Sequence, residues 1–349
     1  MDPARQIPTI SESKFNRITL IAVLMTLGGI VLFGYFIYAV GFWEIWNGIV
    51  RFGFAGFAVI LSLYFGRVCV RACAWKLSVH EPYSLRLRDT VPAVVIGEAM
   101  SSTIPLGILI SGTSKAVAVR RRIPLVAGLS SVATENLFYS LITGLFLISG
   151  AVLLLAMAAL DWSLIWLLGL LISALLILIS LGIVMVVRQW HFVSWITRWL
   201  YNRGVLRRWL ESGRAAVRQF EDLIYGFFRR HPQRFLSICV FEVLYHAFGI
   251  AEVWFILSRL SETFPSFATA YLLESISRLV TIMFKLIPFL IGVDEAGAEF
   301  IGETVALGAG VGVTLAIIRK GRILFWTLAG VALIVKRGIS ISELLQRRY

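Results

Sequence analysis

The stretch Ser163-Leu-Ile-Trp166-Leu-Leu-Gly-Leu-Leu-Ile-Ser-Ala-Leu-Leu-Ile-Leu-Ile-Ser-Leu-Gly-Ile-Val-Met-Val-Val187 runs for 25 positions without a charged residue. A helix rises about 1.5 Å per residue and a bilayer's hydrocarbon core is about 30 Å thick, so roughly 20 such residues cross it. No water is present there to satisfy backbone N–H and C=O groups, so an unbroken helix is the form such a run takes. Working outward, comparable apolar runs lie at 17–40, 54–79, 124–159, 235–258 and 304–337. The first of them reads as a retained helix. Two more stretches, 90–112 and 267–292, are apolar but interrupted by proline or glycine, among them Pro92, Pro105, Gly107, Gly112, Pro288 and Gly292. Such breaks suit segments that enter a membrane and leave on the same side. Segment 42–51 sets Trp43 and Trp46 around Glu44, as expected of a short interfacial helix. The expected architecture is an all-α polytopic membrane helix bundle of about 6–8 spanning helices with two broken, re-entrant segments.

Composition agrees. Of 349 residues, 58% are hydrophobic and 15% charged, against about 45–50% and about 25% in a soluble domain. That excludes a disordered chain, a coiled coil and a secreted disulfide scaffold. The net charge of +13 would suggest nucleic acid in a soluble protein. Placement says otherwise. Arg5, Lys14 and Arg17 precede the first run, Arg86 and Arg88 follow the second, and Lys115 and Arg120 to Arg122 follow the first broken segment. Lys336, Arg337, Arg347 and Arg348 close the chain. With basic loops held inside, all of these fall on the cytoplasmic face, as do both termini.

Segment 188–234 contains ten arginines against three acidic residues, which is seven of the thirteen net charges. Its arginines alternate with Trp190, Trp195, Trp199, Leu206, Trp209, Phe220 and Phe227. That pattern predicts two amphipathic helices lying on anionic headgroups, where each basic residue contributes about 1 kcal/mol. The basic charge thus reports membrane orientation, and no nucleic-acid partner is expected. The chain divides into an N-terminal membrane half, 1–187, the basic cytoplasmic segment 188–234, and a C-terminal membrane half, 235–349.

The two halves resemble one another. Pro105-Leu-Gly-Ile-Leu-Ile-Ser-Gly112-Thr-Ser-Lys115-Ala116 parallels Pro288-Phe-Leu-Ile-Gly292-Val-Asp-Glu295-Ala296. Each has a proline, a glycine and then a charged residue before alanine, and each precedes a long apolar run. Glu135 lies 20 positions after Lys115, and Arg319 lies 24 after Glu295, so the charges recur with their signs exchanged. The basic flanks give the copies opposite orientation, which makes an inverted repeat of the kind found in many secondary transporters.

An ionisable residue at mid-membrane costs about 2.5–3.5 kcal/mol on insertion scales, so those found there mark candidate sites. They are Arg67, Arg71, Glu98, Lys115, Glu135, Glu242, His246, Glu252, Glu274, Arg278, Lys285, Glu295 and Arg319. Eight of them have a plainer structural reading. Arg67 and Arg71 can snorkel to headgroups. Glu242 with His246, and Glu274 with Arg278, can pair at four-residue spacing. Glu135 with Arg319 can form a buried bridge between the halves. The functional reading is a polar cleft in which Lys115 and Arg319 hold a phosphate. Glu135 and Glu295 would then set charge selectivity or carry a proton.

Enzyme signatures are missing: there is no Walker loop, no H-E-x-x-H and no G-x-S-x-G. Gly308-Ala-Gly310-Val-Gly312 opens an apolar run without a strand before it, and reads as close helix packing. Cys69, Cys73 and Cys239 with four scattered histidines do not form a metal-ligand cluster. Neither a catalytic activity nor a cofactor is expected.

The residues Glu98, Pro105-Leu-Gly, Gly112-Thr-Ser-Lys115, Arg120-Arg-Arg-Ile-Pro124 and Glu135-Asn136 resemble the first half of the transmembrane region of lysylphosphatidylglycerol synthases. Pro288 to Asp294-Glu295-Ala-Gly, Gly308 and Arg319 resemble its second half, and the likeness covers roughly 20–337. It implies a flippase-like role, since this region is held to move an aminoacylated phospholipid between leaflets. The candidate site it implies is Glu98, Lys115, Glu135, Asn136, Asp294, Glu295 and Arg319. The chain ends at Tyr349, so the soluble aminoacyl-transferase domain, and with it synthase activity, is not expected. Where the family often carries paired glycines, Phe289-Leu290-Ile291 stand here, which predicts a stiffer loop and a different substrate.

The function expected is transport of a phospholipid or isoprenoid-type lipid intermediate across a bacterial inner membrane. The alternatives are a membrane-embedded headgroup or glycosyl transferase and a non-catalytic partner of a lipid-pathway enzyme.

Overall fold

In a computed structural model the chain is described over residues 27–103, 107–157, 160–203, 207–261, 265–284, 287–305, 307 and 310–337. Pro105, Leu206, Lys285, Gly308 and the terminal basic residues Arg5, Lys14, Arg17, Arg347 and Arg348 lie outside the described residues. Every regular element among those described is helical. The order begins α1 (Leu27–Val40), α2 (Phe42–Leu77), α3 (Leu87–Thr103) and α4 (Gly107–Ala118). Next come α5 (Leu125–Met157), α6 (Trp162–Val187), α7 (Phe192–Asn202), α8 (Arg207–Arg230) and α9 (Pro232–Leu260). The chain finishes with α10 (Phe267–Met283), a 3-10 turn at Pro288–Leu290, α11 (Val293–Thr304) and α12 (Val311–Lys336).

Among the described residues four helices, α2, α5, α6 and α9, are long and apolar enough to cross a membrane. Helix α12 has the length, 26 residues, but carries Arg319, Lys320 and Arg322 in its middle. Only Leu168 of α6 is buried, while Trp166, Leu167, Leu170, Ile177 and Leu178 stand exposed. A continuous apolar surface of that size is stable against lipid and not against water. Within α2, Gly53 adopts φ 68°, a left-handed value open to glycine, and separates a short Trp43/Trp46-bearing piece from the long helix.

The two broken segments are helical hairpins of equal arm length. Helix α3 has 17 residues and α4 has 12, and α10 and α11 repeat those lengths. Gly97 on α3 lies against Ser111 and Lys115 on α4, and Gly297 on α11 lies against Val280 and Ile276 on α10, so the arms run antiparallel. The second hairpin therefore continues past Gly292. The acidic stretch 294–303, which lies beyond the apolar segment 267–292, is its second arm. At its tip, Phe289 and Leu290 adopt φ of 55° and 53°, and Gly292 adopts 84°. Thus the turn keeps a glycine-like path in spite of two bulky side chains. A Cβ at Gly292 would collide with the Gly29 carbonyl oxygen of α1.

The halves also pack alike. Helices α2 and α9 form the central pair and run antiparallel. Phe52 meets Phe255 near one end, with ring centroids 6.1 Å apart, and Ala74 shares a cluster with Ile238 near the other. Helix α3 packs on α12 as α10 packs on α5, and α4 packs on α5 as α11 packs on α12. Helix α2 touches α3 and α12 as α9 touches α10 and α5. Exchanging α2–α5 with α9–α12 therefore maps the contacts onto themselves. Because the exchanged central helices are antiparallel, the relating axis is perpendicular to them, and the two halves are inverted.

Lipid gives no hydrophobic reward for helix association, so close packing through small residues matters more. Gly312 lies against the Ala298 carbonyl of α11, and Gly330 lies against Ala99 and the Val95 carbonyl of α3. Helices α7 and α8 form a pair closed by His191–Asp222 at 2.9 Å and by Ser194 on Glu221. Phe227 and Phe228 dock α8 against Phe138 of α5, with centroids 6.4 and 5.3 Å away.

Candidate functional site

Both hairpins and both long helices bring ionisable side chains to the α2/α9 pair. In the first half the centre is Arg71. Its Nε donates to Glu135 Oε1 at 2.9 Å and its Nη2 to Asn136 Oδ1 at 3.3 Å. Its Nη1 stands 3.7 Å from Glu98 Oε1, and its guanidinium lies 4.3 Å over the Tyr139 ring. Lys115 Nζ reaches Glu135 Oε2 at 3.6 Å from the other side.

In the second half the centre is Glu274. Arg319 Nη2 donates to it at 2.7 Å, and Arg278 lies 2.9 Å away on the next turn. Arg67 of α2 reaches it at 3.0 Å and stacks 4.0 Å over Tyr245, which ties the two halves together. Arg319 also stands 3.6 Å from Glu252 and donates to Ser277 at 2.9 Å. Ser277 in turn donates to Asp294 at 3.0 Å. Arg322 pairs with Glu252 and stacks 4.2 Å over Tyr64. Lys320 Nζ pairs with Glu295 Oε1 at 2.7 Å, and Glu295 Oε2 accepts the Gly292 N–H at 2.8 Å.

The exchange of signs extends to these contacts. Lys115 on α4 faces Glu135 on α5, and Glu295 on α11 faces Lys320 on α12. Arg71 on α2 faces Glu135 on α5, and Glu252 on α9 faces Arg319 and Arg322 on α12. Buried ions cost several kcal/mol each in lost hydration, so pairing of this completeness is what allows them inside. Some polar capacity is left over. Both oxygens of Glu242, which is 0% exposed, make no hydrogen bond among the described residues, nor do Arg67 Nε and Nη1. The network reaches the surface at Glu98, 29% exposed, and at Lys320, 14% exposed.

The structure gathers all seven sequence-derived site residues into this network, with changed partners. Glu135 and Arg319 do not bridge the halves; each is taken by partners on its own side, and Arg67–Glu274 makes the connection. Arg67 and Arg71 do not snorkel; both are buried in ion pairs. Glu242 does not pair with His246, whose Nε2 lies 3.1 Å from Thr143 Oγ1. Glu274 and Arg278 do pair. Lys320 and Arg322, which with Arg319 form the one basic cluster set within an apolar run of the sequence, join the network although the candidate site included only Arg319. Glu299, also acidic and buried, accepts the N–H groups of Gly310 and Val313 at 3.0 and 3.2 Å and so caps α12. Cys69, Cys73 and Cys239 are half-buried and free.

The model of one protein family, described as the lysylphosphatidylglycerol synthase TM region, matches residues 19–330. No curated protein and no solved structure gave a match. The match extends over both inverted halves and includes every residue of the charge network. The chain is an integral membrane protein and belongs to the lysylphosphatidylglycerol synthase transmembrane-region family.

Proposed function

We propose that this protein is a flippase-like transporter that moves a phospholipid or an isoprenoid-type lipid intermediate between the leaflets of a bacterial inner membrane. The observation that carries this reading is the buried charge network, assembled twice with opposite sign on two hairpins that meet an antiparallel helix pair. A bundle that only had to be stable in lipid would be cheaper with apolar residues at these positions. Broken segments meeting near the midplane of an inverted repeat are where transporters bind substrate.

Within this reading Lys115 and Lys320 receive the headgroup phosphate, each leaving its carboxylate. Arg319 is held by Glu274, Glu252 and Ser277, so the phosphate role expected of it passes to its neighbour. Glu135 and Glu295 then counter a cationic headgroup or carry a proton. Glu98 and Lys320 lie at the two edges through which a headgroup enters. No nucleophile is required and no bond is broken, so the protein acts without enzymatic chemistry. The basic pair α7–α8, with Trp190, Trp195 and Trp199 exposed, rests on the anionic cytoplasmic surface.

The test is translocation of fluorescent phosphatidylglycerol in proteoliposomes, read by quenching of the outer leaflet. Wild type accelerates exchange. Glu135→Gln slows it by at least tenfold while retaining helix content and a monodisperse elution profile. Protein-free rates for wild type, or wild-type rates for folded Glu135→Gln, would overturn the reading.

A further inference from the structure

A cavity of about 630 Å³ that shares no residue with the charge network lies between the loop that follows α2, helix α8 and the start of α9. Its size falls in the range of small-molecule sites, about 300–1,000 Å³. Two carboxylates line it, and both are committed elsewhere: Glu81 to Arg234 at 2.7 Å, and Asp222 to His191 at 2.9 Å. Its cations are not. Arg218 and Arg230 have no ionic partner among the described residues. His80 is 6% exposed, and its Nε2 is buried without a hydrogen bond. His231 is the N-cap residue of α9 and makes no side-chain capping hydrogen bond. Phe227 stands between the two imidazoles, 5.6 Å from each, and provides an apolar wall.

We propose that this cavity binds the phosphoryl group of an organic phosphate, held by Arg218, Arg230 and the His80 imidazole with the rest of the molecule against Phe227. The volume exceeds what a bare phosphate fills, so the group arrives on a larger carrier. A phospholipid headgroup at the membrane surface beside α8 and a soluble phosphate ester share this chemistry. The site is independent of transport through the hairpins.

The experiment uses the full chain in detergent and two probes, glycerol 3-phosphate and phosphatidylglycerol, with phosphatidylcholine as the zwitterionic control. Thermal shift reads the soluble probe, and native mass spectrometry counts retained lipid. Arg230→Gln and Arg218→Gln, both at exposed positions, each weaken binding roughly tenfold, the equivalent of one charge-assisted hydrogen bond. Arg188→Gln removes equal charge outside the cavity and leaves binding unchanged. Binding of glycerol 3-phosphate with this pattern assigns a soluble ester. Selective retention of phosphatidylglycerol with this pattern assigns a headgroup. Binding of neither probe, or equal losses in Arg188→Gln and Arg230→Gln, overturns the proposal.

Discussion

Lys320 Nζ lies 2.7 Å from Glu295 Oε1, and this contact joins the second arm of one hairpin to the helix that follows it. Its counterpart in the other half, Lys115–Glu135, has the opposite polarity and a separation of 3.6 Å. Breaking a buried pair from one side strands a charge, whereas removing both charges together does not. Lys320→Met is therefore expected to destabilise the protein by about 3–5 kcal/mol. The double variant Lys320→Met/Glu295→Gln should recover most of that loss, because the amide oxygen it introduces can still accept the Gly292 N–H. Denaturation in detergent measures both. Equal losses in the single and the double variant would show that the pair is not what holds α11 to α12.

The junction between the halves rests on a missing side chain. A Cβ at Gly249 would collide with Glu274 Oε1 and stand 2.9 Å from Arg67 Nη1. Gly249→Ala therefore forces Arg67 and Glu274 apart, at an expected cost of about 2–4 kcal/mol for a disrupted buried pair. Gly169→Ala on α6, where nothing lies within 4 Å, should be neutral or add up to about 1 kcal/mol through helix propensity. If the two variants melt together, the close approach at Gly249 does not control the junction.

The length and apolarity of the runs make the helices legible in the sequence. The repeat was legible as well, because Pro105 and Pro288 punctuate both copies and the basic flanks imply opposite orientation. What sequence spacing did not yield was the pairing. Glu135 and Arg319 sit at similar depths on equivalent helices, which suggested a bridge. Depth alone does not say which neighbour is nearer, and α2 supplies Arg71 to one and α10 supplies Glu274 to the other. The arm α11 was hidden for a related reason. The broken segment, read from its apolarity, stops at 292 because acidic residues follow, yet Asp294, Glu295 and Glu299 are buried, the first two among cations from α12 and Glu299 on backbone N–H groups.

Arg71 contacts three acceptors on two helices, Glu98, Glu135 and Asn136, and stacks on Tyr139. A lysine is a single point charge and cannot reproduce that fork or the stacking. Arg71→Lys should preserve the net charge yet lose about 1–3 kcal/mol of stability, by analogy with other charged hydrogen bonds. Lipid exchange in proteoliposomes should fall as well, since Glu135 loses the Arg71 Nε donor that holds it at 2.9 Å. Wild-type stability and exchange would show that charge alone suffices at this position.

Acid should destabilise the α8–α9 junction through His80. Burial, then the neighbouring His231 and the Arg230 guanidinium, push its pKa down to about 4 from the ordinary value near 6.5. The other charged groups around its cavity are Arg218, Glu81, held by Arg234, and Asp222, held by His191. With the folded pKa below the unfolded one, the unfolded chain takes up the proton first. The neutral imidazole is no burden above pH about 6.5, and stability is lost progressively as pH falls from there towards about 4. Melting curves across that window, in a buffer without phosphate, should show a steeper decline for wild type than for His80→Asn. An anion bound beside His80 would favour the imidazolium and flatten the wild-type curve. Parallel curves for wild type and His80→Asn, with and without glycerol 3-phosphate, would mean that His80 is neither the acid-sensitive group nor part of an anion site.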